Sequence, residues 1–381
     1  MNLESEYKVK IVKKISEIPE GEWSKVFPAV MESYYFFKTL DESNFDQFSF
    51  YYILIYDKDT LVGSTNCFLM NFPLDIAVTG KFKIVVNFIN KICPRLLNPR
   101  ILICGLPMGE GRIGIAGEPQ AVINAISKGM DQIACQEKAG IIAFKDFRLS
   151  YKKTLDKFLD ADFIRIDSLP STDMDINFVS FDEFLKSLSS VSRSGLKRKF
   201  KQIDGKVKID LEITDKLDNS ALDEIYALYL QTYNKQELGL EKLPKAFFGN
   251  ISKNMPNETK FFLWRMEKRI VAFAFCLASG DYFIDYYLGF DYAIAHQYHL
   301  YSVRFRGLMN WCIENKMKKY EMGATSYEPK RRLGFNFIPL FIYAKHRNKF
   351  FNPIFKIICR IVQPTNFQPV FKDLKQSLKG V

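Results

Sequence analysis

The chain has 381 residues, of which 25% are charged and 15% aromatic, with a net charge of +11. A single core rarely grows past about 250–300 residues, so this length predicts two domains. The seven cysteines form no CxxC pair and no Cys/His cluster, so we expect no metal site and a reducing compartment. We also expect neither a signal peptide nor a membrane-spanning helix, because the N-terminus lacks an apolar core and no run reaches about 18–20 apolar residues.

The positive charge is concentrated in two parts of the chain. Residues 330–381 hold eleven Lys or Arg and a single acid, Asp373, and residues 186–208 hold eight Lys or Arg and a single acid, Asp204. Such asymmetry favours an anionic partner over a uniformly basic surface. The candidates are a phosphate-bearing co-substrate, a membrane surface or an RNA, and the alternative for either cluster is a solvated surface.

Hydrophobic periodicity and turn signals predict the elements of the first half. They are a strand over 9–15, helices from residue 20 and over 34–40, a hairpin of 51–56 with 61–68, a strand over 100–104, a glycine-rich connector, a helix over 118–140, a strand over 141–147, a short helix over 151–159 and a strand over 163–168. Residues 72–99 are interpreted as an inserted loop and helix.

The second half repeats this order. Its predicted elements are helices over 181–188, 194–202 and 221–232, a strand over 206–213, a hairpin of 260–266 with 270–278, a strand over 282–290, a helix after the connector 291–299 and a strand over 319–322. The last strand–helix–strand unit requires a parallel strand pair. The repeat predicts two α/β domains, at 1–170 and 171–348, separated by a polar linker at 170–177 and followed by a tail at 349–381.

Several stretches resemble the GNAT acyltransferases, and in particular the tandem FemAB and peptidoglycan-biosynthesis-like branch. They are 181–202 (FDEFLKSLSSVSRSGLKRKFKQ), 229–233 (YLQTY), 285–291 with its YLGFD, and 320–330 (YEMGATSYEPK). The resemblance, which covers about residues 23–348, implies an α/β fold with mixed sheets and two tandem GNAT-like domains. The tail lies outside the resemblance, and its residues predict a basic, apolar helix.

This resemblance also implies an activity. The expected reaction moves an acyl or aminoacyl group from acyl-CoA, an acyl carrier protein or aminoacyl-tRNA to an amine acceptor, in cell-envelope or lipid metabolism and with no covalently bound cofactor. The alternative is a non-catalytic tandem domain that binds an envelope or lipid ligand.

The donor site is expected where the helix of the second domain begins. GNAT domains usually cradle the donor pyrophosphate with a glycine-containing turn, where backbone N–H groups meet the phosphates. This chain has no glycine there, and the resemblance assigns donor contacts to His296, Gln297, His299, Tyr301 and Ser302. The first domain does have a glycine-rich connector, at 109–117, which includes Arg112; the alternative is that its glycines only turn the chain.

Two or three cations are predicted to share one side of the helix over 194–202 and its preceding residue. Arg193, Lys197 and Arg198 stand at i, i+4 and i+5, which suits a phosphate or a carboxylate. A solvated helix face is the alternative. Few aromatic residues accompany this cluster, so we expect no DNA partner, and tRNA only as a donor.

Four residues are predicted to carry the chemistry. Asp285 interrupts an apolar strand, where strict alternation places it on one face with Tyr287, and a buried carboxylate needs a partner. Glu321 on the neighbouring strand is predicted to lie beside Asp285, so that paired carboxylates orient an amine. Tyr327 and Lys330 follow in a loop, and the resemblance implies that Lys330 contacts an anion or the oxyanion. For each of them a structural role is the alternative.

The tail contains a nearly all-apolar helix, predicted over 352–363 from an Asn-Pro start signal and the following Pro364. This helix is too short to span a bilayer, but it could lie in the interface beside anionic lipid, or it could dock on its own domain. We therefore expect a cytoplasmic protein that is peripheral at the inner membrane face through residues 330–381.

Overall fold

The computed structural model describes residues 7–27, 33–72, 99–235, 241–324 and 326–366. The chain forms two compact units: one comprises residues 1–170 and 339–381, and the other residues 171–338. Each unit is built around a mixed sheet with helices, so the predicted α/β class is confirmed. Residues 73–98 of the predicted insertion lie outside the described ranges.

The strands and helices of the described ranges are numbered here in chain order. The strands are β1 (Lys8–Val12), β2 (Ser49–Asp57), β3 (Thr60–Asn71), β4 (Arg100–Cys104), β5 (Gly114–Ile115), β6 (Ile141–Arg148), β7 (Ile164–Asp167), β8 (Ser171–Asp175), β9 (Asp210–Thr214), β10 (Thr259–Met266), β11 (Arg269–Ser279), β12 (Tyr282–Phe290), β13 (Lys319–Met322), β14 (Asn336–Ile338) and β15 (Leu340–His346). The helices are α1 (Glu20–Val26), α2 (Tyr34–Glu42), α3 (Pro119–Gln136), α4 (Lys152–Leu155), α5 (Phe181–Ser187), α6 (Ser190–Ile203), α7 (Asn219–Tyr233), α8 (Lys245–Asn254), α9 (Leu300–Glu314), α10 (Tyr327–Arg332) and α11 (Asn352–Val362).

The first unit has the strand order β1-β2-β3-β4-β6-β15-β7, with β5 beside β3. The predicted hairpin forms β2 and β3, and the parallel pair β4 and β6 is joined through α3. Helix α3 buries one side, including Val122, Ile126 and Met130, in the core of this unit.

The second unit has the strand order β14-β8-β13-β12-β11-β10-β9. Strands β12 and β13 are parallel and are joined through α9, as the sequence pattern predicts. Helix α9 buries Phe305, Leu308, Met309 and Cys312, which share a core with Phe283 of β12. Helix α8, which the sequence analysis did not predict, buries Phe247 and Ile251.

The residues predicted to be a linker at 170–177 contain a strand inside the sheet of the second unit instead. Strand β8 lies between β13 and β14 and pairs antiparallel with both. Its polar residues have partners there: the Thr172 hydroxyl donates to the Met322 carbonyl at 2.7 Å, and Lys319 Nζ lies 3.3 Å from Asp173 Oδ2. Because these side chains are satisfied within the sheet, a polar stretch is buried where composition predicted a loop.

The C-terminal domain predicted over 171–348 ends earlier, at Ile338, and the residues that follow return to the first unit. Strand β15 lies between β6 and β7, antiparallel to both, and α11 packs against β15 and β7. The described part of the predicted tail, residues 349–366, therefore continues the first unit and is not a separate region. The two sheets share a plan, because β15 separates β6 from β7 as β8 separates β13 from β14.

Candidate active site

Strands β12 and β13 of the second unit part beyond Asp285. The last residue of β12 with a partner on β13 is Asp285, opposite Met322, whereas β12 continues along β11 to Phe290. A bulge falls here: Cys276 pairs with Asp285 and the preceding Phe275 pairs with Tyr287, so one residue of β12 is extra. An exposed strand edge at a bulge is a common position for a ligand site.

The bulge reverses the side-chain alternation of β12. Asp285 faces α9, whereas Tyr287 lies on the opposite face, where its ring packs 5.9 Å from that of Tyr229 in α7. The prediction that Asp285 and Tyr287 share a face is therefore wrong. An extra residue in a strand shifts the two-residue period by one, and no feature of the sequence marks it.

Asp285 is held in a fully buried ion pair. Its Oδ1 accepts from Nη2 of Arg304 on α9, and its Oδ2 accepts from the Tyr320 hydroxyl at 3.1 Å. The side chains of Asp285 and Arg304 are 1% and 0% exposed, so this pair is isolated from water. Both oxygens of Asp285 are thus occupied, which suits a carboxylate that fixes α9 to β12.

Three buried polar atoms beside this pair have no hydrogen-bond partner among the described residues. They are Nε and Nη1 of Arg304 and the Tyr301 hydroxyl. Burial raises the pKa of Tyr301 to about 12, so the hydroxyl keeps its proton at neutral pH. Of the residues predicted for the donor, Tyr301 therefore lies inward, with its ring near Phe290 of β12.

Glu321 lies on the other face of the sheet. It accepts a hydrogen bond from the Tyr282 hydroxyl, and the Ser171 hydroxyl lies 3.5 Å from its Oε1. Its neighbour Tyr320 points towards Asp285, and successive residues of a strand point to opposite faces. Asp285 and Glu321 therefore do not form the paired carboxylates that the sequence analysis predicted.

Lys330 is buried at the end of the sheet where β12 and β13 part. It lies on α10, donates from Nζ to the carbonyl of Gly323 and sits 5.9 Å from the centroid of the Tyr327 ring, which is also buried. Burial lowers the pKa of Lys330 to about 8, although attraction to Asp285 opposes this effect. A lysine with this pKa changes its charge just above neutral pH, a property common in functional sites.

The N-terminus of α9 is surrounded by positive groups. His299 at the N-cap makes no side-chain cap, and its Nε2 lies 2.6 Å from Oε1 of Gln202 on α6. Lys199 of α6 donates to the Ser302 hydroxyl at 3.3 Å. Burial, followed by the charges of Lys199, His296 and Arg198, lowers the pKa of His299 below its usual value. His299 and Ser302 of the predicted donor residues therefore lie near Arg198 and Lys199 of α6 at this helix terminus.

The remaining predicted residues of this unit differ in their surroundings. His296 and Gln297 are exposed, and the Gln297 amide lies 3.3 Å from the Tyr298 hydroxyl. Lys197 and Arg198 are exposed on α6. Arg193 donates to the carbonyls of Lys186 and Leu188, both at 3.2 Å, and so caps the C-terminal end of α5.

The corresponding place in the first unit is negative. Helix α3 begins with Pro119, which has no N–H, and the Glu118 carboxylate accepts from the Ala121 N–H at 2.6 Å. A carboxylate at a helix N-terminus occupies the position that a phosphate would take. Arg112 lies 3.9 Å from the Glu110 carboxylate. A Cβ added at Gly111 would lie 2.1 Å from the carbonyl oxygen of Lys145, so close packing accounts for this glycine.

Two residues of the site were missed from the sequence. Arg304 stands among the apolar residues of α9, four residues from both Leu300 and Leu308, and an arginine on an apolar helix face needs a buried partner. Asp285 in the apolar strand β12 is that partner, so the two buried charges together could have predicted the ion pair. Lys199 belonged to the basic cluster, but its charge alone did not distinguish it from its neighbours.

Comparison with known proteins identifies the class. The fold is similar to that of FemX, which aligns over 92% of this chain and 100% of its own at 12% identity with a TM-score of 0.56. A tandem GNAT protein from the clavulanic acid biosynthesis pathway aligns over 90% and 99% at 6% identity, with a TM-score of 0.52. The C-terminal domain of a putative lysylphosphatidylglycerol synthetase from Agrobacterium fabrum aligns over 89% and 95% at 11% identity, with a TM-score of 0.50. At these identities the likeness establishes the fold.

The family follows from the sequence itself. A model of the FemAB-like family, described as peptidoglycan biosynthesis/recognition, matches residues 107–358. The match spans about two thirds of the chain, and the protein belongs to this family. The suspected resemblance is thereby confirmed. A search of curated proteins finds no significant match to the chain.

Proposed function

We propose that the protein is an acyltransferase of cell-envelope metabolism, which moves an acyl or aminoacyl group from a thioester or ester donor to an amine acceptor. The observation that carries this proposal is the contrast between the two helix N-termini. The terminus of α9 has no side-chain cap and has Lys199, His299 and Arg198 around it, whereas the terminus of α3 is capped by a carboxylate. Donor phosphates therefore bind the second unit.

The proposed donors share one recognition chemistry. Acyl-CoA, an acyl carrier protein with its phosphopantetheine arm and aminoacyl-tRNA all present phosphates near a reactive carbonyl. At α9 these phosphates meet backbone N–H groups, the positive end of the helix dipole and the cations of α6. His299 is largely neutral at pH 7 because its pKa is lowered, so it contributes a hydrogen bond rather than a charge.

The transfer step uses the end of the sheet near Lys330. The acceptor nitrogen attacks the donor carbonyl carbon, a C–N bond forms, and the C–S or C–O bond to the leaving group breaks. The proton lost by the attacking nitrogen goes to the departing thiolate or alkoxide. In its charged form Lys330 stabilises the oxyanion, and Tyr327 shapes the same end of the sheet. Asp285 acts through Arg304 as a positioning residue.

The place of the reaction is part of the proposal. An envelope acceptor is available at the inner face of the membrane, and residues 330–381 carry the excess of positive charge that suits an anionic surface. None of the helices in the described part of the chain has the length and apolar character of a membrane span.

Titration calorimetry with acetyl-CoA, a long-chain acyl-CoA and an aminoacyl-tRNA tests the donor site. We expect one of them to bind, and the double variant Arg198→Glu, Lys199→Glu to weaken it by about a hundredfold because two attractive charges become repulsive. The matched control is Lys253→Glu, an exposed lysine of α8 in the same unit. Lack of binding of all three by folded protein would refute the donor site.

A binding protein is the second candidate. The observation that favours it is that both carboxylates are engaged, Asp285 by Arg304 and Glu321 by Tyr282. A recognition module would bind the donor or an envelope fragment without turnover. The distinction is a transfer assay with the bound donor and a panel of amines: release of free thiol or deacylated tRNA only when an amine is present identifies the enzyme.

A further inference from the structure

Helix α11 packs on its unit with its apolar side facing solvent. Four isoleucines stand at i, i+3, i+4 and i+7 and form one stripe, and each is between 48% and 56% exposed: Ile354, Ile357, Ile358 and Ile361. Phe350 and Phe351, just before the helix, are 88% and 47% exposed and extend the stripe. The helix buries Asn352 and Cys359 instead, which is the reverse of an ordinary surface helix.

The orientation of α11 is fixed by polar contacts at both of its ends. The Asn352 amide donates to the Asp162 carbonyl and its oxygen accepts from the His346 N–H, both at 2.9 Å. After the helix, the Thr365 hydroxyl donates to Asp167 at 2.9 Å. These bonds tie the helix to its own unit with the isoleucine stripe directed away from it.

The charges that α11 and its flanking residues contribute are of one sign. Residues 347–366 contain no acid, and Lys349 and Arg360 are exposed beside the isoleucines. The nearby cations Arg347 and Lys356 have partners within the unit, namely the Ala134 carbonyl and Asp162. The surface is therefore apolar with a positive rim, which we call the α11 face.

We propose that the α11 face lies in the interface of a bilayer that contains anionic lipid. Eleven residues of helix extend only about 16 Å, roughly half the hydrocarbon thickness, so α11 lies parallel to the membrane rather than across it. The isoleucines and Phe350 enter the boundary between headgroups and acyl chains, while Lys349 and Arg360 meet the lipid phosphates.

Charge argues against the other occupants of this face. Residues 73–98 carry four Lys or Arg and one Asp, and residues 367–381 carry three Lys and one Asp, so either segment would bring further positive charge to a positive rim. A second copy of the α11 face would do the same. An anionic surface is complementary, and this inference does not depend on the transfer reaction.

Vesicle co-sedimentation of the full chain tests the proposal. We expect binding to vesicles of phosphatidylcholine with a third phosphatidylglycerol, and weak binding to phosphatidylcholine alone. Ile357→Glu with Ile361→Glu should lower the partition coefficient more than about tenfold, since two apolar anchors become anions. The matched control is Val179→Glu with Val191→Glu, two exposed valines of the other unit.

A second variant tests the same proposal if the first variant fails to fold. Lys349→Gln with Arg360→Gln leaves the stripe intact and should weaken binding to the anionic vesicles about thirtyfold, with little change on neutral ones. Equal binding by wild type and both variants would overturn the proposal. The proposal would also be overturned if the wild-type protein were a dimer and the Ile357→Glu, Ile361→Glu variant a monomer, because a second copy would then cover the α11 face. Donor binding by the same variants should be unchanged, so failure here is distinct from failure of the transferase.

Discussion

At the scale of single residues, Lys330 links stability to activity. Its ammonium is buried and its pKa is about 8, so folding works against the charged form at neutral pH. The same charge is the one that the proposed transfer step requires. A residue that is unfavourable for folding and aimed at a developing charge is characteristic of functional sites.

The activity should follow the charge of Lys330. We expect kcat/KM for transfer to fall as the pH rises through about 8, because the ammonium that stabilises the oxyanion is lost. Lys330→Arg should shift this loss to higher pH while keeping some activity, and Lys330→Met should be inactive at every pH. A pH–rate profile of Lys330→Met with wild-type activity and shape would contradict the assignment.

The free energy of unfolding should also depend on the charge of Lys330, but it should rise with pH where the activity falls. Between pH 8 and the ordinary lysine value of 10.5 the unfolded chain keeps a proton that the folded chain has lost, so wild-type stability rises with pH in this window. The free energy of unfolding of wild type relative to Lys330→Met should increase by about 1.4 kcal/mol per pH unit across it. Urea unfolding at pH 7, 8, 9 and 10 measures the slope, and a flat difference would mean that Lys330 is not desolvated.

The ion pair of Asp285 with Arg304 should be strongly asymmetric to mutation. Arg304→Met leaves a buried carboxylate without its cation and should cost about 3–5 kcal/mol of unfolding free energy. The double variant Asp285→Leu, Arg304→Met removes both charges and should recover most of that loss. Urea unfolding of the three proteins checks it, and additive losses in the double variant would show that the two charges act separately.

At the scale of elements, the turns that precede α3 and α9 do not follow the usual rule that a glycine-containing turn binds the donor phosphates. The turn with glycines precedes the carboxylate-capped α3, and the turn without them precedes the basic terminus of α9. Packing explains Gly111 of the first turn, because an added Cβ there would also lie 2.6 Å from the Phe147 ring.

Gly111→Ala should therefore destabilise the protein without affecting the donor. We expect a loss of about 1–3 kcal/mol from overpacking against β6, and unchanged donor affinity in the folded protein. Gly21→Ala is the matched control: nothing lies within 4 Å of the added Cβ in α1, and this variant should be neutral or slightly more stable. A loss of donor affinity in folded Gly111→Ala would indicate that the donor binds the first unit.

The elements also show what the sequence could predict. Hairpins β2–β3 and β10–β11 and the crossover through α9 follow from local periodicity, and these were correct. Strand β8 and the position of β15 in the first sheet were not predicted, because both depend on pairing between distant parts of the chain that local patterns do not encode. In the site, Asp285 was predicted as a charge in an apolar strand and Lys330 from the family resemblance, whereas the bulge of β12 placed Tyr287 on a face that simple alternation did not predict.

At the scale of the whole molecule, the two units differ in continuity. The second unit is a single stretch, residues 171–338, and the seven strands that the structure describes in its sheet all come from it. The first unit is interrupted, because β15 must reach the position between β6 and β7 after the second unit has been completed.

Fragments should behave accordingly. We expect residues 171–338 to unfold in one cooperative thermal transition and to keep the affinity of the full chain for the donor. Residues 1–170 alone should lack such a transition, since β7 has lost its neighbour and β6 has an unpaired edge. Circular dichroism melts of both fragments decide this, and a folded 1–170 fragment would show that β15 is dispensable.

The interruption also sets an order of events during synthesis. On the ribosome, the N-terminal half emerges first but cannot close its sheet until Leu340–His346 has been translated, by which time the middle of the chain is able to fold. For that interval the apolar edges of β6 and β7 are open to unwanted pairing. We therefore expect the nascent chain, rather than the finished protein, to be the form that most needs a chaperone.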